Sequence, residues 1–199
     1  MNRRKRQNFL TKRKQNTRNV KKRILVIYNG KETEGNYIKA LKTRYSATGV
    51  IIKPRFENKD ALKLVESMKR LKEREENNFD EFWCIFDVEN VTPEQFIKFI
   101  NISKKEKIQL AYSKISFELW ILLHNQYVEN SMTVNQLSQK IKNWLGNYKK
   151  TSIDWIYEIL PLTNIAITNA QKLAKKYQYQ NHLNNDPITF MHLLINSIR

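Results

Sequence analysis

Five consecutive apolar residues, Phe82-Trp83-Cys84-Ile85-Phe86, run without a break into the carboxylates of Asp87-Val88-Glu89. A run this short reads as a strand, and one apolar at every position is buried on both faces, which requires a sheet covered on each side. Residues 23–28 (RILVIY) are a further run buried on both faces, 50–56 (VIIKPRF) reads as a second strand, and 108–113 is a weaker fourth.

Helical patterns fill the gaps. Asn29-Gly30 ends the first run, and Thr33 is expected to cap a helix with Tyr37, Ile38 and Leu41 on one side. Asp60 caps a charged helix with the stripe Leu64, Val65, Met68 and Leu71. Thr92-Pro93-Glu94-Gln95 is a capping box with Pro at the first helical position, followed by Phe96, Phe99 and Ile100 on the buried face. Strands alternating with helices imply βαβ crossovers and a parallel sheet with helices on both faces. The fold class is α/β with about four strands, and ligands of such sheets bind at the carboxyl ends of the strands, where Asn29 and Asp87 stand.

From Ser116 onward only helices are expected. Residues 117–123 are apolar nearly all round, Thr133 with Gln136 opens a helix carrying Val134, Leu137, Ile141 and Leu145, and Ala166, Ala170, Leu173 and Tyr177 mark another. Asp186-Pro187 is read as the start of the last helix, with Phe190, Leu193, Leu194 and Ile198 inward. The expected organisation is a disordered or extended basic arm over residues 1–22, an α/β core over 23–125, and an all-helical extension over 126–199 packed on that core.

The formal charge is +17, but it is unevenly placed. Of eleven Arg, six (Arg3, Arg4, Arg6, Arg13, Arg18 and Arg23) lie in the first 23 residues with five Lys and no acidic residue, so the remainder carries 25 basic against 19 acidic side chains. Such an arm lacks apolar surface to offset its ordering entropy and is a candidate for binding the phosphates of nucleic acid; a merely solubilising tail is the alternative. No run approaches the length of a membrane span, no membrane partner is expected, and a lone Cys84 inside an apolar strand excludes an internal disulfide and a thiolate metal cluster. Cytoplasmic residence is the default expectation.

Asp87 and Glu89, one residue apart at a strand end, are candidate ligands of Mg²⁺ or Mn²⁺, which take one or two carboxylates plus water and substrate phosphate; turn formation is the other reading of the pair. Asn29, Glu32 and Glu34 lie between the first strand and its helix, where Gly30 permits close approach and the helix N-terminus favours anions, although both Glu residues also suit the helix dipole. Glu118, amid apolar residues, is costly unless paired, and Lys149 or Lys150 are candidate partners. His124 follows six residues later, off the same face, as a core, capping or functional histidine. Nucleophile elbow and P-loop motifs are absent, which disfavours hydrolase triads and nucleotide hydrolysis by this chain alone.

The order of these blocks resembles the RloB-like family of bacterial defence proteins, whose domain is similar to the Toprim fold of primases, topoisomerases and overcoming-lysogenization-type nucleases. The family's Glu-Gly-x-x-Thr-Glu with a following Tyr is represented by Asn29-Gly30-Lys31-Glu32-Thr33-Glu34 and Tyr37, and its Trp-containing strand and acidic pair by residues 83–89. Its Ser-x-x-x-Phe-Glu-Leu-Trp-x-Leu-Leu-His is matched by Ser113, Phe117, Glu118, Leu119, Trp120, Leu122, Leu123 and His124, the most specific block; Tyr148 with Lys150, the helix with Ala166 and Ala170, and 186–189 complete the order. The resemblance implies a Toprim-like sheet, abortive-infection defence against phage, Mg²⁺-dependent phosphodiester chemistry, and an ATPase partner of the ABC or SMC-like kind. It assigns acid–base duty to the first-strand Glu and the metal to an Asp-x-Asp pair.

Two positions depart from that pattern. Asn29 replaces the Glu and has no carboxylate to act as a base, while Glu89 replaces the second Asp and still offers an oxygen ligand. The expected activity is therefore that of a metal-dependent nuclease, with Asn29, Glu32, Glu34, Glu118 and Lys150 as catalytic candidates. The alternative is a non-catalytic nucleic-acid-binding or regulatory subunit of a defence ATPase, its site degenerate at Asn29. Turnover, the choice of DNA or RNA, and homo-oligomerisation are left open by the sequence.

Overall fold

The computed structural model describes residues 21–88, 91–146, 148–177 and 186–199. β1 (Lys22–Tyr28) leads through α1 (Thr33–Tyr45) to β2 (Val50–Phe56), then α2 (Ala61–Glu75), β3 (Glu81–Asp87), α3 (Pro93–Glu106) and β4 (Gln109–Lys114). The chain continues through α4 (Glu118–Leu122), α5 (Val134–Leu145), α6 (Asp154–Ile159), α7 (Thr163–Lys176), β5 (Ile188–Thr189) and α8 (Met191–Ile198). The sheet order is β2-β1-β3-β4-β5, parallel except for β5.

Each strand's composition matches its place. β1 is central, paired on both sides, and Ile24, Val26 and Ile27 are fully buried. β2 carries Pro54, which has no N–H for a ladder, and lies at the edge. Alternate β1 side chains enter different cores. Ile24, Val26 and Tyr28 join α1 and the C-terminal helices, including Phe117, Trp120, Ile141 and Leu173. Leu25 and Ile27 join α2 and α3 in a core where Phe86, Phe96, Phe99 and Tyr112 pack ring to ring. The expected α/β class, with helices on both faces of a largely parallel sheet, holds.

Three local expectations are corrected. Thr33 is the first helical residue rather than the cap, and Glu32, in helical conformation and without a side-chain cap bond, precedes it. Glu34 supplies local satisfaction instead, because its carboxylate accepts from its own N–H. The region after Ser116 is not wholly helical: Ile188 pairs antiparallel with Lys114, and Thr189 with Ser113, adding a fifth strand. β-branched Ile188 and Thr189 favour extended backbone, and the Ser113 and Thr189 hydroxyls hydrogen-bond at 2.9 Å in the interior. The last helix consequently begins at Met191 and not at Asp186-Pro187. Its inward stripe is Met191, Leu194, Ile195 and Ile198, which leaves Leu193 43 % exposed.

The other three sequence-read caps form as expected. Asp60 accepts from the Lys63 amide, and Thr92–Gln95 and Thr133–Gln136 are complete capping boxes. Among the described residues no helix is long and apolar enough to cross a membrane.

Candidate functional site

β1 connects outward to β2 by way of α1 on one face, whereas β3, reached through α2 on the other face, lies on the opposite side of β1. The connections therefore diverge between β1 and β3, and at their carboxyl ends the backbone opens a crevice of the kind in which α/β sheets hold ligands. A cleft of about 420 Å³ occupies that place, lined among others by Asn29, Gly30, Glu34, Asp60, Asp87 and Gln95.

Asn29 follows the last residue of β1, and its Nδ2 donates to the Lys59 carbonyl at 3.3 Å, tying the strand end to the segment before α2. Asp87 is the last residue of β3, in register with Ser113 of β4. Glu34, in the first turn of α1, folds back over Gly30: a Cβ at Gly30 would lie 1.9–2.0 Å from the Glu34 carboxyl atoms. Glycine at position 30 thus makes room for a side chain of the protein itself, not only for an incoming phosphate.

Glu34 is 6 % exposed, and its pKa is raised, by burial first and then by Glu118; its own N–H and Lys150 offset part of the rise. Glu118, 2 % exposed at the start of α4, lies with Oε1 2.5 Å from Lys150 Nζ, the partner expected for it. Burial lowers the Lys150 pKa, but Glu118, Glu34 and Asp87 outweigh it and raise the net value. The Tyr148 hydroxyl is buried beside this group, its pKa pushed above its ordinary range by desolvation and then by Glu118.

The structure therefore gathers Asn29, Glu34 and Asp87 around one cleft, with Glu118 and Lys150 coupled to it through Glu34. Glu32 is exposed at the start of α1 and does not line the cleft. Arg23 sits at the amino end of β1, the opposite end of the sheet, where its N–H donates to Asp80 Oδ2 at 2.6 Å and its guanidinium to the Asn77 carbonyl. Glu89, Arg3, Arg4, Arg6, Arg13 and Arg18 lie outside the described residues. His124 is a core residue, bonded through Nδ1 to the Trp120 carbonyl at 2.9 Å and held neutral by burial, with its pKa lowered to about 4.

Sequence reasoning passed over two groups. Asp60 and Gln95 were read only as caps, yet both also line the cleft. Glu57, one residue beyond the end of β2, is a buried carboxylate that takes Arg55 Nε at 3.1 Å, Lys59 Nζ at 2.7 Å and the Ser67 hydroxyl at 2.5 Å. The signal for Glu57 was its position, an acidic residue at a strand's carboxyl end like Asp87. A second cleft of about 420 Å³ between α3, β4 and α8 is lined by Ile108, Leu110, Tyr112 and Phe190, with Lys104 and Lys107 and no carboxylate.

The donors of the first cleft are hard oxygens, the set suited to a Mg²⁺ or Mn²⁺ ion that keeps most of its water. Among the described residues no three His, Cys, Asp or Glu side chains are grouped to enclose an ion, and Asp87 is a carboxylate of this cleft that could hold one together with water. Neither a curated protein nor a solved structure matches the chain. The family model of RloB-like proteins does match, over residues 24–198, and with it every element from β1 to α8, so the chain belongs to the RloB-like protein family.

Proposed function

We propose that this chain is a phage-defence protein that binds nucleic acid and presents a phosphodiester to the cleft between β1 and β3, with Mg²⁺ or Mn²⁺ at Asp87 and Glu89. The observation that carries the reading is the cleft itself, a polar crevice at the divergence point of the sheet with Asp87 as the residue on which β3 ends. When bound there, the ion would supply charge neutralisation and polarisation of the phosphate. The chain's own residues do the rest: Asp87 anchors the ion, Asn29 fixes the end of β1 against the segment leading to α2, and the basic arm holds the polyanion. An ATPase partner, which the RloB-like resemblance implies, and a cytoplasmic location, the default for a chain with a lone cysteine, belong to the same proposal.

Incubation with phage-type DNA and RNA in Mg²⁺ or Mn²⁺ tests this reading directly. Cleavage lost in Asp87→Ala is the expected result, and cleavage that survives it sinks the site. Deleting residues 1–22 is expected to weaken nucleic-acid binding and flatten its salt dependence.

The Asn29 amide favours a second reading, a non-catalytic subunit that grips nucleic acid for its partner. That reading predicts no cleavage with either ion and a gain of metal affinity in Asn29→Glu.

A further inference from the structure

Asn29 leaves the end of β1 without a proton-transfer group, yet a carboxylate stands at the same cleft on the next element. Glu34 is 6 % exposed, lines the cleft with Asn29 and Asp87, and lies over Gly30, where a Cβ at position 30 would collide with its carboxyl group. Lys150 bonds to Glu118 behind it, so two buried carboxylates share one lysine and the one facing the cleft is left the less neutralised. The Tyr148 hydroxyl, 4 % exposed, is buried beside the same two carboxylates.

We infer that Glu34 is the proton-transfer residue of this cleft, filling the role closed to the Asn29 amide, with Glu118 and Lys150 as its positioning residues. The inference rests on the phosphodiester reading of the cleft. In the step it assigns, a water oxygen bonds to phosphorus while the phosphorus–oxygen bond to the leaving strand breaks. Glu34 takes the proton released by the water and returns one to the leaving oxygen, so the enzyme ends as it began. A carboxylate of ordinary acidity is a weak base for this task, and the surroundings of Glu34 correct it in the useful direction: burial and Glu118 raise its proton affinity, while Lys150 and its own N–H limit the rise.

Glu34→Gln keeps the side-chain volume over Gly30 and removes the titration. In the full chain, with a labelled oligonucleotide and Mn²⁺, it is expected to lower the cleavage rate by about 100-fold or more and to abolish the pH dependence that Glu34 confers. Oligonucleotide affinity should be unchanged and Glu34→Asp should recover part of the rate. Wild-type rate and pH profile in Glu34→Gln, with cleavage abolished in Asp87→Ala, overturns the assignment and leaves the proposed function standing. No cleavage by the wild-type chain overturns both. An independent readout is carboxyl ¹³C NMR of glutamate-labelled protein: one resonance titrating above the ordinary glutamate range and missing in Glu34→Gln is expected, and uniform ordinary titration overturns the assignment.

Discussion

Glu57 and Glu34 are buried carboxylates at the same edge of the same sheet, 8 % and 6 % exposed, yet their surroundings move them in opposite directions. Burial raises the pKa of each. At Glu57 that effect is overcome by Lys59, Ser67 and Arg55, and the net shift is downward. At Glu34 a second carboxylate, Glu118, competes for Lys150, and the net shift is upward. A satisfied buried acid contributes to the fold, whereas an undersatisfied one costs stability and retains chemical potential for a proton. The contrast sets Glu57, held by cations, apart from Glu34, which shares its cation with Glu118.

The comparison can be broken at four points. His124 sets the acid limit, because as pH falls from 6.5 the unfolded chain takes up a proton that the folded chain refuses until about pH 4. Up to about 3 kcal/mol of stability is expected to disappear over that window. Urea unfolding across it should show a flatter slope in His124→Phe, and an unchanged slope would remove His124 from the account.

Next is Glu57→Ala, expected to cost about 2 kcal/mol at neutral pH, the amount being moderated because Lys59 and Arg55 are partly exposed. The sign follows from its lowered folded pKa. Its contribution is complete above the unfolded carboxylate pKa and is lost as pH falls through the folded value, so the mutant and wild type should converge in acid. Denaturant midpoints that stay apart at low pH would refute the ionic origin.

Lys150→Met comes third, at about 1 kcal/mol, since the Lys150 side chain is 51 % exposed and screened by solvent. The loss should be largest at neutral pH and above and shrink in acid as Glu34, whose pKa is raised, takes up its proton. Smallest, and opposite in sign, is Glu34→Gln. With a raised folded pKa its ionic penalty is absent below the unfolded pKa and sets in as pH rises, so the variant should be neutral or gain up to about 1 kcal/mol at pH 8. Thermal unfolding that shows Glu34→Gln to be as damaging as Glu57→Ala would erase the distinction between the two acids.

Much of the frame was legible because its signals are local. The apolar run into Asp87, the caps at Asp60, Thr92 and Thr133, and the helix stripes are periodic or short-range patterns, and they form where expected. β5 was not legible, since two residues carry no periodicity and become a strand only because β4 offers an edge. Thr33 was misassigned because Thr is a favoured cap residue type, whereas Glu32 already takes helical backbone and makes Thr33 the first residue of the helix.

The site divides along the same line. Asn29, Asp87 and Glu118 could be singled out by residue type and strand-end or apolar context, and the need of Glu118 for a lysine followed from the cost of burying a charge. Glu32 and Glu34 were indistinguishable in sequence, two residues apart in one helix start; the fold turns Glu34 inward and leaves Glu32 exposed.

By itself the sequence determined an α/β sheet with carboxylates at its strand ends, a basic arm, and the absence of a carboxylate at position 29, because composition and spacing along the chain are enough for each. Only the tertiary structure decided which acids share a cleft and which share a cation. Proton affinity depends on distance, burial and competition among residues such as Glu34, Glu118 and Lys150, which are far apart in the chain and meet only when it folds.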